Sequence, residues 1–168
     1  AHKLNLPYFS KTVDMNGYAK EHKISSEEAG RELRYLFFRE ILSIIGGGKI
    51  AVAHNKNDQA ETILQRLFRG AAIDGLKGMD YKNGDIIRPI LGIGREEIEN
   101  YLKDRNIEYM IDNTNLESIY NRNKIRLELI PYIEDNFNPN IIDTLWRTSE
   151  IMADRKSTRL NSSHITIS

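Results

Sequence analysis

KIAVAHNKNDQAETILQRLFRG, residues 49–70 of this 168-residue chain, reads as a strand running into a helix. Ile50 to Ala53 are apolar without alternation, the pattern of a strand covered on both faces in a parallel sheet. The pattern changes after His54. Asn55 or Asn57 can cap a helix, which is predicted to run to about Arg69 and stop at Gly70. Ile63, Leu64, Leu67 and Phe68 are predicted to lie toward the core. Asp58 and Glu61 stand at i and i+3 and share the other face, with Gln65 and Arg69 following at i+4 steps. Open α/β sheets bind ligands beyond the carboxyl ends of their strands. His54 stands at such an end, and the helix that follows offers unpaired amides and a positive dipole end.

The surrounding pattern extends this unit. Residues 7–14, PYFSKTVD, read as a short strand that Pro7 can open, followed by a short helix from Gly17 to about His22. Ser25 and Glu28 have capping-box spacing. Ala29, Leu33, Leu36, Phe37, Ile41 and Ile44 keep helical spacing up to the Gly46-Gly47-Gly48 stop. GDIIRPI (84–90) is a third strand, which Pro89 ends or places at an edge. GREEIENYLKDRNI is a helix. NIEYMIDNTN is an extended piece that enters a turn at Asp112–Asn115. SIYNRNKIRLELIPYIEDNF is a helix interrupted or kinked at Pro131, and a last helix starts near Pro139. Strands alternating with helices define an α/β class with a parallel sheet, here followed by a helical segment.

Composition bounds the function. Lys+Arg and Asp+Glu both total 24, so the net charge is zero and no global basic excess announces a nucleic-acid binder. Without cysteine there is no disulfide scaffold and no Cys-ligated zinc or iron–sulfur site. No apolar run approaches the roughly 20 residues of a membrane span, and the expected location is cytoplasmic. Residues 1–153 carry the periodic pattern and are expected to form one domain. DRKSTRLNSSHITIS departs from the amphipathic pattern before it, and 154–168 are expected to be a non-native or disordered tail.

Several residues carry chemistry. On spacing alone, acids in the first turn and bases in the last merely complement the helix dipole. The sharper readings are a carboxylate pair that binds a cationic group, such as an ammonium, or an Mg²⁺–phosphate, and a metal held by His54, Asp58 and Glu61. Arg88 ends a strand where an anion is commonly met. Arg31 and Arg34 share a helix face beside Tyr35, where solvation or pairing with Glu27 and Glu28 is the plain reading. Arg122, Lys124 and Arg126 put positive charge at a helix start, against the dipole, which a phosphate partner would explain.

AGRELRY (29–35), AHNKNDQAETILQRLFRGAAIDGLKGM (53–79), IIRPIL (86–91), IDNTN (111–115) and NRNKIRLELIP (121–131) together resemble the tRNA(Ile)-lysidine synthase family, in that family's order and spacing. The resemblance covers about residues 3–153, and it implies that residues 1–153 are a partial N-terminal catalytic domain. It implies an N-type ATP pyrophosphatase fold: a partial Rossmann-like parallel sheet of the adenine nucleotide alpha hydrolase kind, lacking its first strands. It implies an ATP-dependent carbon–nitrogen ligase that uses ATP and Mg²⁺ to adenylate the wobble cytidine of a CAU-anticodon tRNA(Ile), after which L-lysine displaces AMP. It implies His54, Asp58 and Glu61 in catalysis. Asp58, Glu61, Arg69 and Arg88 would meet lysine or phosphate, and Arg31, Arg34, Arg122, Lys124 and Arg126 the tRNA. The expected partners are tRNA(Ile), L-lysine and ATP, with no membrane and with a homodimer admitted. One departure stands out. The family's Ser-Gly-Gly-x-Asp-Ser loop does not occur here, so the chain is expected to begin after that loop and to be inactive alone. The alternatives are a non-catalytic RNA-binding module or another tRNA-modifying ATP pyrophosphatase. Thiolating enzymes of that kind commonly use cysteines, which this chain lacks.

Overall fold

The computed structural model describes residues 1, 5–71, 73–110 and 121–163. The chain divides into two compact units, Ala1–Ile50 and Ala51–Ser168.

In the first unit, α1 (Met15–His22) is capped by Asp14, which accepts from the Gly17 amide. α2 (Ser26–Ile44) is capped by Ser25, which accepts from the Glu28 amide. Both agree with the spacing read from the sequence. Gly46 and Gly47 then take positive φ (84° and 110°), where a side chain would be strained. Of the predicted core-facing residues of α2, Ala29 is buried, Leu33, Phe37 and Ile41 are half-buried, and Leu36 and Ile44 are exposed. Residues 7–14 form no strand. A strand exists only through a neighbour's hydrogen bonds, and mixed apolar and polar residues do not supply one.

The second unit carries the opening stretch. β1 (Ile50–Ala51) is shorter than its apolar run, and Ala51 and Ala53 are exposed, so it is not the doubly covered strand expected. The sheet order is β1-β3-β2. β2 (Lys82–Asn83), a strand the sequence did not predict, and β3 (Ile86–Ile87) run antiparallel, with Asn83 opposite Ile86. A two-residue Gly84-Asp85 turn permits this. Gly84 has φ 62° while Asp85 does not enter the positive region, the II′ pattern of tight hairpins. The Val52 amide donates to the Ile87 carbonyl (3.0 Å), and the Lys56 amide to the Ile93 carbonyl (2.9 Å).

α3 (Lys56–Phe68) is the central helix. Its Asn55 cap and Asp58 bond each other's backbone amides at 3.1 and 3.0 Å, a reciprocal capping box. Ala60, Ile63 and Leu64 are buried as predicted, whereas Leu67 and Phe68 are exposed. Leu64 packs with Ile125 and Ile130, and Leu129, Ile141, Ile142 and Leu145 close around them. After α4 (Ile73–Leu76), the loop to β2 is pinned to α3. Gln59, fully buried, donates from Nε2 to the Lys77 and Met79 carbonyls (3.2 and 3.0 Å) and accepts from the Met79 amide (2.7 Å). Its Nε2 also lies 3.2 Å from the Ser149 hydroxyl on α8. Arg66 donates to the Gly78 carbonyl at 2.6 Å. Gly78 has φ 63°, and a Cβ there would stand 2.6 Å from the Gln59 carboxamide.

Gln59→Leu leaves the Met79 amide without its partner, a penalty of about 1–3 kcal/mol. Urea unfolding should show a lower midpoint at unchanged slope. Gly78→Ala should destabilise at the same place. Wild-type midpoints in both variants would disprove the latch.

α5 (Arg95–Asp104) follows, and Glu97 accepts from the Gly94 amide at its start. Residues 107–110 carry no regular structure, and the Asp112–Asn115 turn lies outside the described residues. α6 (Asn121–Lys124), a π-helix (Ile125–Leu129) and α7 (Ile130–Asn136) form the interrupted helix expected around Pro131. The widened turn immediately precedes the proline ring, which would otherwise clash with the carbonyl four residues back. α8 (Ile141–Ser163) begins two residues after Pro139. It continues through 155–163, where the Ser/Thr-rich composition predicted no helix. An existing helix propagates at small cost, roughly half a kcal/mol per unfavourable polar residue. Residues 164–168 of the expected tail lie outside the described residues.

Candidate functional site

Four predicted residues converge at the first two turns of α3. Arg122 donates from Nε to Glu61 Oε2 (2.7 Å) and from Nη2 to Asp58 Oδ1 (2.8 Å). Arg126 donates from Nε to Glu61 Oε1 (2.6 Å), and from Nη2 to Glu61 Oε2 (3.0 Å) and Asp58 Oδ1 (3.4 Å). The i, i+3 spacing on α3 sets the carboxylates side by side. The i, i+4 spacing from α6 into the π-helix does the same for the guanidiniums.

Burial grades the cluster. The Glu61 side chain is 1% exposed, Asp58 16%, Arg122 27% and Arg126 25%. The acidic face of α3 is therefore not a solvated surface: it is closed by two arginines, and its charges balance. Burial acts to lower the pKa of the Arg126 guanidinium. The hydrogen bond to Glu61 and the charges of Glu61 and Asp58 outweigh it, so the pKa stands above the ordinary arginine value. Charge-assisted, forked contacts of this kind are the stronger hydrogen bonds of proteins.

The other predicted residues stand elsewhere. Arg88 is buried, with Nε 3.3 Å from His54 Nδ1 and Nη1 donating to the Asp80 carbonyl (2.7 Å). His54 thus meets an arginine rather than joining Asp58 and Glu61 around a metal. Among the described residues, no group of three or more His, Asp or Glu is placed to hold a metal ion. Arg69 and Lys124, both exposed, line a groove of about 720 Å³ with Phe68 and Tyr132. Arg31 and Arg34 are exposed on α2 in the first unit, where the Arg31 guanidinium lies 5.2 Å from the Tyr35 ring centre.

A polar cavity of about 380 Å³ opens beside the cluster, lined by Asn55, Asn57, Glu61, Arg126 and Glu134 among others. Burial, then the charge of Asp135, raises the Glu134 carboxyl above its ordinary 4.5. The folded state therefore binds this proton more tightly than the unfolded one, so stability falls as pH rises through the carboxylate range. Glu134→Gln should raise the melting temperature at pH 7 and leave it unchanged well below pH 4.5. An equal shift at both pH values would disprove this assignment.

Three residues escaped the sequence reading. Gln59 and Arg66 hold the loop that shapes this end of α3. The signal for Gln59 was present: a glutamine one turn before Ile63, on the apolar stripe. Lys56 is a third, ion-paired with Asp143 (2.7 Å) and 5.1 Å above the Trp146 ring, tying α3 to α8.

Comparison with known proteins places the chain in a family. Residues 1–133 match the PP-loop domain model, and the chain belongs to that family. It is 51% identical over 151 residues to the tRNA(Ile)-lysidine synthase of Clostridium acetobutylicum, spanning 89% of this chain and 33% of that protein. Against the tRNA(Ile)-lysidine synthase of Clostridium perfringens it is 54% identical over 145 residues (86% of this chain, 31% of that protein). Against that of Thermosipho africanus it is 41% identical over 162 residues (92% and 38%). The chain thus spans about a third of the length of these relatives. Among the described residues, no helix is long and apolar enough to cross a membrane.

Proposed function

We propose that this chain is part of an ATP-dependent ligase that joins L-lysine to the wobble cytidine of a CAU-anticodon tRNA(Ile), with ATP converted to AMP and pyrophosphate. The observation that carries the reading is the buried pairing of Asp58 and Glu61 with Arg122 and Arg126. It offers acceptors for an ammonium and donors for a carboxylate or phosphate within a few ångströms, which suits an amino acid meeting a polyphosphate. The similarity to tRNA(Ile)-lysidine synthases supports tRNA(Ile) as the RNA substrate.

In this reading, Asp58 and Glu61 hold the ammonium of lysine and orient its free amine. Arg122 and Arg126 neutralise negative charge as AMP leaves. Catalysis is then mainly positioning and charge stabilisation. Mg²⁺ would accompany ATP, but the two carboxylates are turned to arginines and do not form a hard-cation site. Arg69 and Lys124, exposed at the rim of their groove, would meet RNA phosphate. Arg88 and His54 would act from beneath, as the support of the strand end. β1 and β3 would belong to the Rossmann-like sheet of the family. No Ser-Gly-Gly-x-Asp-Ser run is present, so these 168 residues would not adenylate cytidine by themselves.

The test is a chimera. The matching 145 residues of the Clostridium perfringens relative are replaced by those of this chain, and transfer of labelled lysine to the tRNA is measured with ATP. Lysine transfer that depends on the CAU anticodon is expected. A folded chimera that binds tRNA without transferring lysine would favour the non-catalytic RNA-binding reading.

A further inference from the structure

The cation seat that this reading gives to an incoming amine is already filled. Each carboxylate faces both guanidiniums, and Glu61 is almost wholly buried beneath them. A lysine arriving alone would have to strip both guanidiniums from buried carboxylates, and its single carboxylate can neutralise only one of them. Breaking such a pair is costly. The exchange balances if an anion takes the guanidiniums at the same time, because a guanidinium forks onto phosphate as it does onto carboxylate.

We propose that Arg122 and Arg126 form a lock on the amine site, opened by a phosphate-bearing anion that draws the guanidiniums away from Asp58 and Glu61. The inference rests on the reading of those carboxylates as the ligands of the amine. The two ligands do not compete, since they take opposite poles of one cluster. Each must then raise the affinity of the other by the same factor. Arg126 is carried by the π-helix, a turn geometry that occurs frequently at functional sites. A lock of this kind would keep the amine site closed until the phosphate partner is in place.

The experiment is calorimetric titration of the 168-residue chain with L-lysine, alone and with saturating inorganic pyrophosphate or an anticodon stem-loop RNA. Lysine is expected to bind at least about five-fold more tightly with one of the anions, and that anion more tightly with lysine by the same factor. Enhancement by pyrophosphate identifies a nucleotide-type phosphate as the opener; enhancement by RNA alone identifies the backbone. Arg126→Gln should tighten lysine binding without anion and shrink the enhancement, which a purely structural arginine would not do. Should that variant fail to fold, the Nε–Hε NMR signals of Arg122 and Arg126 in the wild-type chain give the readout, and both should shift when lysine and the anion are added together. Equal lysine affinity with and without either anion, or unmoved signals, would overturn the lock and leave the ligase reading intact. If lysine binds neither wild type nor variant under any condition, the reading of Asp58 and Glu61 fails and the lock falls with it.

Discussion

Glu61→Ala is expected to lower the unfolding free energy of the chain by about 3–5 kcal/mol, the usual cost of removing one partner from a buried ion pair. Glu61 accepts three charge-assisted hydrogen bonds from two arginines and is 1% exposed. Its removal leaves both guanidiniums sharing Asp58 and opens a void under the first turn of α3. The adjacent core of Leu64, Ile125 and Ile130 then loses the clamp that holds the π-helix against α3. Asp58→Ala should cost less. Asp58 is more exposed, and its contact with Arg126 is longer, 3.4 Å, but its loss also breaks the capping box, worth about 1 kcal/mol. Urea titration of both variants checks the order. A Glu61→Ala chain as stable as wild type would show that the cluster does not hold the fold.

The second large effect is catalytic. In the active chimera, Asp58→Asn and Glu61→Gln should each reduce lysine transfer by roughly 10²-fold or more, the scale of a lost charge-stabilising contact. These changes keep shape and remove charge, so they separate function from packing. The KM for lysine should rise in both. Near-normal transfer in both would remove these carboxylates from the amine site.

What the sequence made legible, and what it hid, follows from the range of the interactions. The caps at Ser25 and Asn55 and the stops at Gly46 and Gly70 depend on neighbours within four residues, and local spacing revealed them. Strands depend on partners far along the chain. Residues 7–14 have strand-like composition but no ladder, while Lys82–Asn83, wholly polar, became β2 because the Gly84-Asp85 turn folds it onto β3. The antiparallel hairpin was hidden for the same reason. In the site, the i, i+3 spacing showed that Asp58 and Glu61 share a face, and the basic run 122–126 called for an anion. That the anion is that same pair of carboxylates, some 60 positions earlier, was beyond any local pattern. Phe68 shows the converse: its spacing put it in the core, yet it is 63% exposed beside the groove that holds Arg69 and Lys124.

The central claim is that Asp58, Glu61, Arg122 and Arg126 act as one interlocked site, and a double-mutant cycle tests it most directly. Unfolding free energies are measured for the 168-residue chain, Glu61→Gln, Arg126→Gln and the double variant. The two single losses are predicted to exceed the double loss by at least about 1 kcal/mol, because the second change removes a charge already stranded by the first. Additivity to within about 0.5 kcal/mol would mean that the two side chains do not depend on each other, and would contradict the account.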